Sequence, residues 1–319
     1  MIQRSSAQFS ILIPTRNRHD DLCACLRSIS TQTHLPDEVV IVDSSPAVTD
    51  NVVSVYQTVA GAVPVRYIWV SWGGLPTQRN QALDLVSRDS TYLIFFDDDV
   101  ILEPTCCEEL LRPMVDSTGV VATMGNLLNS QGYPYNRLIQ AFYRLFLMEG
   151  HPGTLLRSGS IGHIRENLHG APFPTLWLVG CVMAVRRAAL GDLRFDPTFE
   201  RFGGYAFNED LDFSYALGRR GSMLCVPAAR LVHAMSPTGR PVRDYHFGMS
   251  QVANRALFVR KHLPGPFHFA CYLWSMLGTM LINAAMIARG RSPTRLVGNF
   301  IGLALVLSGQ IRPANRKDG

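Results

Sequence analysis

One stretch of the sequence, from Tyr92 to Val100, constrains the fold more than any other. It begins with five apolar residues, which predict a short buried strand, and three aspartates, Asp97, Asp98 and Asp99, follow at once. Like charges packed together destabilise one another, so three adjacent carboxylates need a compensating partner. A divalent cation such as Mg²⁺ or Mn²⁺ would meet that need, because both prefer oxygen ligands. A solvated acidic turn is the alternative interpretation of the same residues.

Strands and helices alternate through the first hundred residues. The apolar patterns predict strands over 9–13, 38–42, 65–70 and 92–96, with a helix between each successive pair. Such alternation is typical of βαβ units and a mostly parallel sheet. Acidic residues follow two of the strands, and open α/β sheets bind ligands at the carboxyl ends of their strands. We therefore expect this half to be a nucleotide-type binding domain.

The second half is less regular. Residues 126–175 are rich in Gly, Pro, Tyr and Arg, and they predict a connection with a helix around 138–148. An apolar strand is predicted over 176–185, and two short strands, 223–226 and 229–232, lead to a histidine.

Three acids, Glu209, Asp210 and Asp212, suit the electrostatics of a helix's first turn. Asn208 is a suitable N-cap for that helix, and Gly221 is placed to end it.

Taken together, these motifs resemble those of an inverting family 2 glycosyltransferase with a GT-A fold, a Rossmann-like mixed α/β sheet flanked by helices. The resemblance spans about residues 9–235 and keeps the family's order. The matching pieces are Ile13-Pro14-Thr15-x-Asn17-Arg18, the strand ending in Asp43, Gly74-x4-Arg79-Asn80-x-Ala82, Asp97-x-Asp99, Gly180 with Arg186-Arg187, Phe195-Asp196, Glu209-Asp210-x-Asp212 and His233.

The resemblance implies a nucleotide-diphosphate sugar as donor and a divalent metal, Mg²⁺ or Mn²⁺, as cofactor. The implied metal-site residues are Asp97, Asp99 and His233: Asp99 would be the direct ligand, Asp97 would contact the ribose or the metal through water, and His233 would be the distal ligand. A metal there would neutralise the diphosphate leaving group. A partly buried histidine at a strand end is the alternative for His233. Asp43 would read the nucleobase, and Arg79 would lie near the base or the phosphates; a surface cation on a helix is the alternative for Arg79. The full set of implied nucleotide-sugar contacts is Pro14, Thr15, Asn17, Arg18, Asp43, Arg79, Asn80, Asp97 and Asp98.

Inversion requires a base that removes the proton of the acceptor hydroxyl. The resemblance gives that role to Asp210, with Glu209 orienting the acceptor or the helix start, and leaves Asp212 as a substitute base. The turn Ser44-Ser45-Pro46 after Asp43 departs from the family pattern, so the identity of the nucleotide base stays open.

The C-terminal part of the sequence predicts membrane association. Phe267 to Ala288 is an uncharged, mostly apolar run of 22 residues, and a second apolar stretch covers 296–311. Two spans would place the arginines between these stretches on the far side, against the positive-inside rule. We therefore expect a hairpin in one leaflet or interfacial helices, with packing on the catalytic domain or on a partner subunit as the alternative. The predicted domains are a catalytic domain, 1–240, and a helical membrane-associating region, 241–319.

Charge and cysteine content suggest where the protein works. The net charge is only +5, and its basic residues concentrate near the C-terminus, which favours an anionic membrane surface over nucleic acid. The seven cysteines have no zinc-like spacing, and the apolar run at 9–13 is too short for a signal peptide. We expect reduced thiols and a location on the cytoplasmic face of the cell membrane.

Family and membrane together imply a lipid-linked glycan acceptor in polysaccharide biosynthesis. Arg243, Asn254, Arg255 and Arg260 could contact a lipid diphosphate, or they could be solvated helix positions. A sugar-nucleotide pyrophosphorylase is one alternative, but residues 13–16 form no Gly-rich phosphate loop. A non-catalytic sugar-nucleotide-binding protein is another, although such a protein has no use for a base.

Overall fold

The computed structural model describes residues 7–47, 51–129, 137–164, 168–201, 206–234 and 244–311. Its strands are β1 (Phe9–Thr15), β2 (Glu38–Asp43), β3 (Val65–Trp69), β4 (Tyr92–Phe96), β5 (Val100–Leu102), β6 (Val120–Leu127), β7 (Phe173–Pro174), β8 (Val182–Arg186) and β9 (Ser222–His233). Its helices are α1 (His19–Ser30), α2 (Val52–Ala60), α3 (Leu75–Leu85), α4 (Cys106–Asp116), α5 (Arg137–Leu145), α6 (Arg187–Leu190), α7 (Glu209–Gly218), α8 (Asp244–His262), α9 (Pro266–Ile287) and α10 (Thr294–Leu307).

The chain divides into two compact units. The first contains the described strands together with α1 to α4 and α6. The second contains α5, the described residues between Asp196 and Asp212, and α8 to α10. The predicted boundary near residue 240 stays a prediction.

A single mixed sheet forms the first unit, with strand order β3-β2-β1-β4-β8-β6-β9-β5 and β7 beside β9. β3, β2, β1 and β4 are parallel neighbours, whereas β8 runs antiparallel to both β4 and β6. The predicted α/β mixed sheet flanked by helices is confirmed. The register sets Thr15 level with Asp43, and Asp43 level with Trp69, so three strands end at the same edge.

The central strands are buried along their whole length, as continuous apolar sequences in a parallel sheet predict. Phe95 of β4 packs edge-on against Phe195, with ring centroids 5.4 Å apart, and Phe195 stacks on Phe213 at 4.0 Å. These rings bury one face of β4 and so fix the position of the aspartates that follow it.

Close helix contacts organise the second unit. A Cβ at Gly298 of α10 would lie 2.1 Å from the carbonyl oxygen of Tyr245, and one at Gly248 of α8 would lie 2.2 Å from that of Arg295. Only glycine permits the two helix backbones to approach this closely. The side chain of Asn299 on α10 also donates a hydrogen bond to the carbonyl of Gly248 on α8 at 2.8 Å. The small residues in this apolar part of the chain therefore hold α8 and α10 together.

For the second half of the chain, the predicted helix and strands are present, but their first and last residues differ from the prediction. The helix expected around 138–148 is α5, but the strand expected over 176–185 begins only at Val182. The two short strands before His233 are one continuous strand, β9. Arg243 lies outside the described residues.

Candidate functional site

Asp97, Asp99 and His233 form a group that can hold a metal ion. One carboxylate or imidazole atom from each residue lies within 4.8 Å of the others. β5 follows the aspartates directly and pairs with β9, so His233 lies opposite Val100. The Nε2 atom of His233 is 2.9 Å from Oδ1 of Asp99. Carboxylate oxygens with one imidazole nitrogen suit Mn²⁺ or Mg²⁺, so the residues fit the implied cofactor.

Asn129 fixes the backbone of His233 from both sides. Its Nδ2 donates to the His233 carbonyl at 2.6 Å, and its Oδ1 accepts from the His233 N–H at 3.0 Å. No sequence pattern pointed to this residue, because it lies after β6 in an irregular stretch and bonds main-chain atoms of its partner. Outer contacts of this kind orient a metal ligand.

The protonation of His233 follows from its surroundings. Burial lowers its pKa, but hydrogen bonds with Asp99 and Cys181 outweigh burial and raise the pKa to about 11. The raised pKa reflects the pairing of the imidazole with Asp99. A ligating histidine is neutral, so a bound cation would take the place of this proton.

Asp98 lies outside the three-residue metal group and links the ends of β1 and β4. Its Oδ2 accepts a hydrogen bond from Thr15 Oγ1 at 2.7 Å. Its Oδ1 lies 3.1 Å from Arg18 Nη1, and the same Arg18 atom lies 2.6 Å from Asp99 Oδ2. Burial raises the pKa of Asp98 to about 7, although Thr15 and Arg18 favour its charged form. Direct contact of Thr15, Arg18 or Asp98 with a nucleotide sugar stays a prediction.

Asp43 is buried at the end of β2 and held by its own turn. Oδ1 accepts from the backbone N–H and the hydroxyl of Ser45, at 2.7 and 2.5 Å, and Oδ2 accepts from Tyr67 Oη at 2.7 Å. Ser45 Oγ also accepts from the N–H of Asn17, whose φ of +57° is left-handed. The serine turn therefore orders Asp43 and the loop after β1; Pro14 lies level with Val42 at the same edge.

Arg79 is buried, with only 1% of its side chain exposed, so its interpretation as a surface cation is wrong. Its Nη2 lies 3.1 Å from Asp97 Oδ1 and donates to the Gly180 carbonyl at 2.8 Å. Its guanidinium carbon lies 5.2 Å from the centroid of the Phe195 ring. Arg79 therefore orients Asp97, one of the three metal-capable residues.

Two neighbours of Arg79 on α3, Asn80 and Gln78, also form side-chain hydrogen bonds with the main chain of other segments. Both amide atoms of Asn80 bond the main chain of Phe195, at 2.8 and 2.9 Å, so its nucleotide contact stays a prediction. Gln78, which the sequence analysis missed, donates to the carbonyls of Thr15 and Val42 at 2.8 Å each. Only its place beside the Arg79-Asn80 motif could have drawn attention to it.

The acids at the start of α7 differ in their surroundings. Glu209 is buried, whereas Asp210 is half-buried and its Oδ1 accepts from the N–H of Leu211 at 2.8 Å. Asp212 is buried, with Oδ1 2.8 Å from His262 Nε2 and Oδ2 2.8 Å from Lys261 Nζ. Both oxygens of Asp212 are thus held by cationic or imidazole groups, which makes Asp210 the better candidate for a base.

Comparison with known proteins shows the family and the fold. The family model described as "Glycosyl transferase family 2" matches residues 10–193. The chain is 30% identical over 111 residues to the uncharacterized glycosyltransferase YibD of Escherichia coli (strain K12), a match that covers 34% of this chain and 31% of that protein. The matched stretch therefore spans less than a third of YibD.

Solved structures resemble the chain over almost its whole length. TarS of S. aureus in complex with UDP-GlcNAc is 14% identical, with a TM-score of 0.58 over 94% of this chain and 81% of that one. The mannosyltransferase PcManGT from Pyrobaculum calidifontis in complex with GDP-Man and Mn²⁺ is 17% identical, with a TM-score of 0.54 over 95% and 79%. At such identities the likeness concerns the fold.

Proposed function

The chain belongs to glycosyl transferase family 2 and is a glycosyltransferase, and from this premise we propose that it transfers a sugar from a nucleoside-diphosphate sugar to an acceptor hydroxyl with inversion at the anomeric carbon. The group of Asp97, Asp99 and His233 at the carboxyl edge of the sheet carries this proposal. It offers three ligand atoms where open α/β sheets bind nucleotides.

A Mg²⁺ or Mn²⁺ ion held by Asp97, Asp99 and His233 would supply the positive charge that neutralises the leaving diphosphate. The chain's own residues keep these ligands in place, since Arg79 fixes Asp97 and Asn129 fixes His233. The fold is shared with PcManGT, whose structure contains GDP-Man and Mn²⁺, and with TarS, whose structure contains UDP-GlcNAc. These ligands support the donor class and the metal.

We assign the role of base to Asp210. Asp210 takes the proton of the acceptor hydroxyl while the acceptor oxygen bonds to the anomeric carbon and the nucleoside diphosphate leaves with the electrons of the broken bond. The burial of Glu209 and the two ion pairs of Asp212 support this choice, because a base has to reach the acceptor and to accept a proton.

The second unit supports a membrane-bound, lipid-linked acceptor. Eleven of the 18 large apolar side chains that are exposed in the described residues lie on α5, α9 and α10. Between Gly265 and Gln310 the sequence has no acidic residue and three arginines, Arg289, Arg291 and Arg295. An apolar surface bordered by cations suits a membrane with anionic headgroups.

The contacts of α9 favour an interfacial position over a span. α9 is long and apolar enough to cross a membrane, with a mean hydropathy of 1.5. However, Tyr272 bonds the backbone of the charged helix α8, and Trp274 donates to the carbonyl of Leu145 at the end of α5. A span would carry these neighbours into the hydrocarbon, including Arg144 of α5. We therefore propose that α5, α9 and α10 lie in one leaflet, at the cytoplasmic face of the cell membrane.

Calorimetric titration with UDP, GDP and dTDP, each with and without Mn²⁺, tests the donor site. We expect metal-dependent binding of one nucleotide, lost in Asp99→Asn and kept in Asp20→Asn, a control at an exposed aspartate of α1. Binding that ignores the metal, or survives Asp99→Asn, would contradict the assignment. Sugar transfer by the wild type then distinguishes the enzyme from a binding protein.

A further inference from the structure

Arg255 of α8 is a half-buried cation that has no carboxylate partner in the described part of the chain. Its Nη1 donates to Ser160 Oγ at 3.0 Å, while its Nε is buried without a hydrogen-bond partner. Burial lowers its pKa to about 10, as expected when no anion compensates the charge. Since its Nε atom is buried, Arg255 is not a fully solvated helix position. An uncompensated buried charge is costly and calls for an explanation.

Hydroxyl groups are packed against this cation by a tight turn. Gly159 has a φ of +75°, and a Cβ there would lie 2.7 Å from Val259 of α8, so only glycine lets the turn approach. The turn brings Ser160 Oγ to Arg255 and to within 3.4 Å of Ser275 Oγ on α9. One guanidinium and two serine hydroxyls thus meet where the turn, α8 and α9 join.

A second polar group on the same helix face also lacks a partner. Gln251 lies one turn before Arg255, and its buried side-chain oxygen makes no hydrogen bond among the described residues. A side-chain amide can rotate to present its NH₂ group instead of its oxygen. An anion beside Arg255 would give both residues the partner they lack.

We infer that Arg255, Ser160 and Ser275 bind a phosphate group, and that the lipid-linked acceptor of the proposed function supplies it. A guanidinium fork and hydroxyl donors are the groups that recognise phosphate oxygens. Ser275 lies on α9, the apolar helix that the proposed function places at the membrane surface. A phosphate bound to Ser275 would therefore be close to the part of the chain that is expected to contact lipid.

A purely structural role for Arg255 predicts a different outcome in a stability measurement. Arg255→Met removes an unpaired charge and keeps the volume, so the melting temperature should stay equal or rise if the residue serves binding. Arg260 is the matched control on the same helix, because its guanidinium donates to the carbonyls of Val306 and Ile311 at the end of α10. Arg260→Met should lower the melting temperature.

The binding test uses the full chain in detergent micelles with EDTA, so that the carboxylate site takes no part. The probes are farnesyl diphosphate, farnesol and free pyrophosphate, with phosphatidylglycerol nanodiscs as a separate arm. We expect farnesyl diphosphate to bind at least tenfold more tightly than farnesol, Arg255→Met to weaken it at least tenfold, and Arg255→Lys to restore part of the affinity.

The phosphate site would be overturned if Arg255→Met and the wild type bound farnesyl diphosphate equally well. It would also be overturned if Arg255→Met lowered the melting temperature as much as Arg260→Met does.

Equal affinity of the wild type for pyrophosphate and farnesyl diphosphate would show that the lipid chain does not contribute. An Arg255-dependent preference for phosphatidylglycerol would show that a membrane headgroup, and not the acceptor, supplies the phosphate. Metal-dependent nucleotide binding, measured separately, should be the same in Arg255→Met. Its absence from the wild type would count against the proposed function and not against this site.

Discussion

The Nε2 atom of His233 lies 2.9 Å from Oδ1 of Asp99 because the two residues lie at the ends of the paired strands β5 and β9. β5 begins at the residue after Asp99, and β9 ends at His233. Ladder hydrogen bonds continue past both residues, since the N–H of Ala234 donates to the Asp99 carbonyl at 2.8 Å. The metal-capable group is therefore built on the sheet itself, which gives it a fixed geometry before any ligand arrives.

Replacing His233 should weaken the metal site and leave the fold intact. The side chain is only 27% exposed and its charged form pairs with the buried Asp99, so His233→Ala should lower the melting temperature at pH 7 while the protein still folds. We expect Mn²⁺ affinity to fall by at least about 10–100-fold, which is the loss caused by removing even an outer partner of a metal ligand. Calorimetry with Mn²⁺ and the preferred nucleotide measures this, with His151→Ala, an exposed histidine, as control. Unchanged Mn²⁺ affinity would remove His233 from the ligand set.

Asn129 should influence the metal without touching it. Asn129→Ala removes both hydrogen bonds to the His233 backbone, so the imidazole loses its fixed position. We expect about a tenfold loss of Mn²⁺ affinity, with only a small change in melting temperature. A large fall in melting temperature together with the lost affinity would indicate local unfolding instead of a positioning role.

Replacing Asp210 should affect sugar transfer, whereas replacing Asp212 should affect the stability of the fold. Asp210→Asn keeps the shape of a half-buried side chain, so transfer should fall by at least about 10²–10⁴-fold while nucleotide binding stays within a few-fold. Asp212→Asn weakens the pairs with Lys261 and His262, so it should lower the melting temperature. Turnover and thermal unfolding of both variants test the assignment. Full transfer by Asp210→Asn would show that another group is the base.

The first hundred residues were predictable because their strands are continuous apolar runs. β1, β2 and β4 are buried on both faces, and a run of that kind is visible in one sequence without knowledge of its neighbours. The aspartates stand out for the same reason, as charges placed directly after such a run. Position along the chain was enough to predict this edge of the sheet.

The burial of Arg79 could not be predicted in that way. Its partners Asp97, Gly180 and Phe195 are distant in the sequence, and an arginine in a helix is normally exposed. Asn129 and Gln78 bond main-chain atoms, which carry no residue-type signal at all. The residues that support the site therefore become visible only once the chain is folded.

Lys261 should stabilise the protein in a pH-dependent manner. It lies 2.8 Å from both Asp196 Oδ2 and Asp212 Oδ2. Burial alone would raise the pKa of Asp196, but hydrogen bonds from Lys261 and Thr198 lower it overall. A carboxyl group with a lowered folded-state pKa stabilises the fold above its unfolded value of about 4, and this stabilisation is lost as the pH falls through the folded value.

Lys261→Met should therefore cost about 1–3 kcal/mol of unfolding free energy at pH 7 and less at pH 2.5, because the stabilisation by charged Asp196 is lost as the pH falls through its folded-state pKa. Urea unfolding of both proteins at the two pH values measures the difference. A cost that is independent of pH would mean that Lys261 contributes by packing, for example on the ring of Phe199, 5.9 Å from its ammonium group.

The apolar face of the second unit should bind membranes through α5 as well as α9. Leu138 and Leu145 of α5 are 80% and 62% exposed, and α5 is fixed to α9 by the stacking of Phe146 on Trp274 at 4.8 Å. Inserting a leucine into the membrane interface is worth about 1–2 kcal/mol, so Leu138→Glu with Leu145→Glu should weaken vesicle binding at least tenfold. Sedimentation with vesicles containing phosphatidylglycerol measures this, and Leu176→Glu, at a 53% exposed leucine of the first unit, is the control. Equal binding by the double variant and the control would exclude α5 from the membrane surface and leave α9 and α10 to account for it alone.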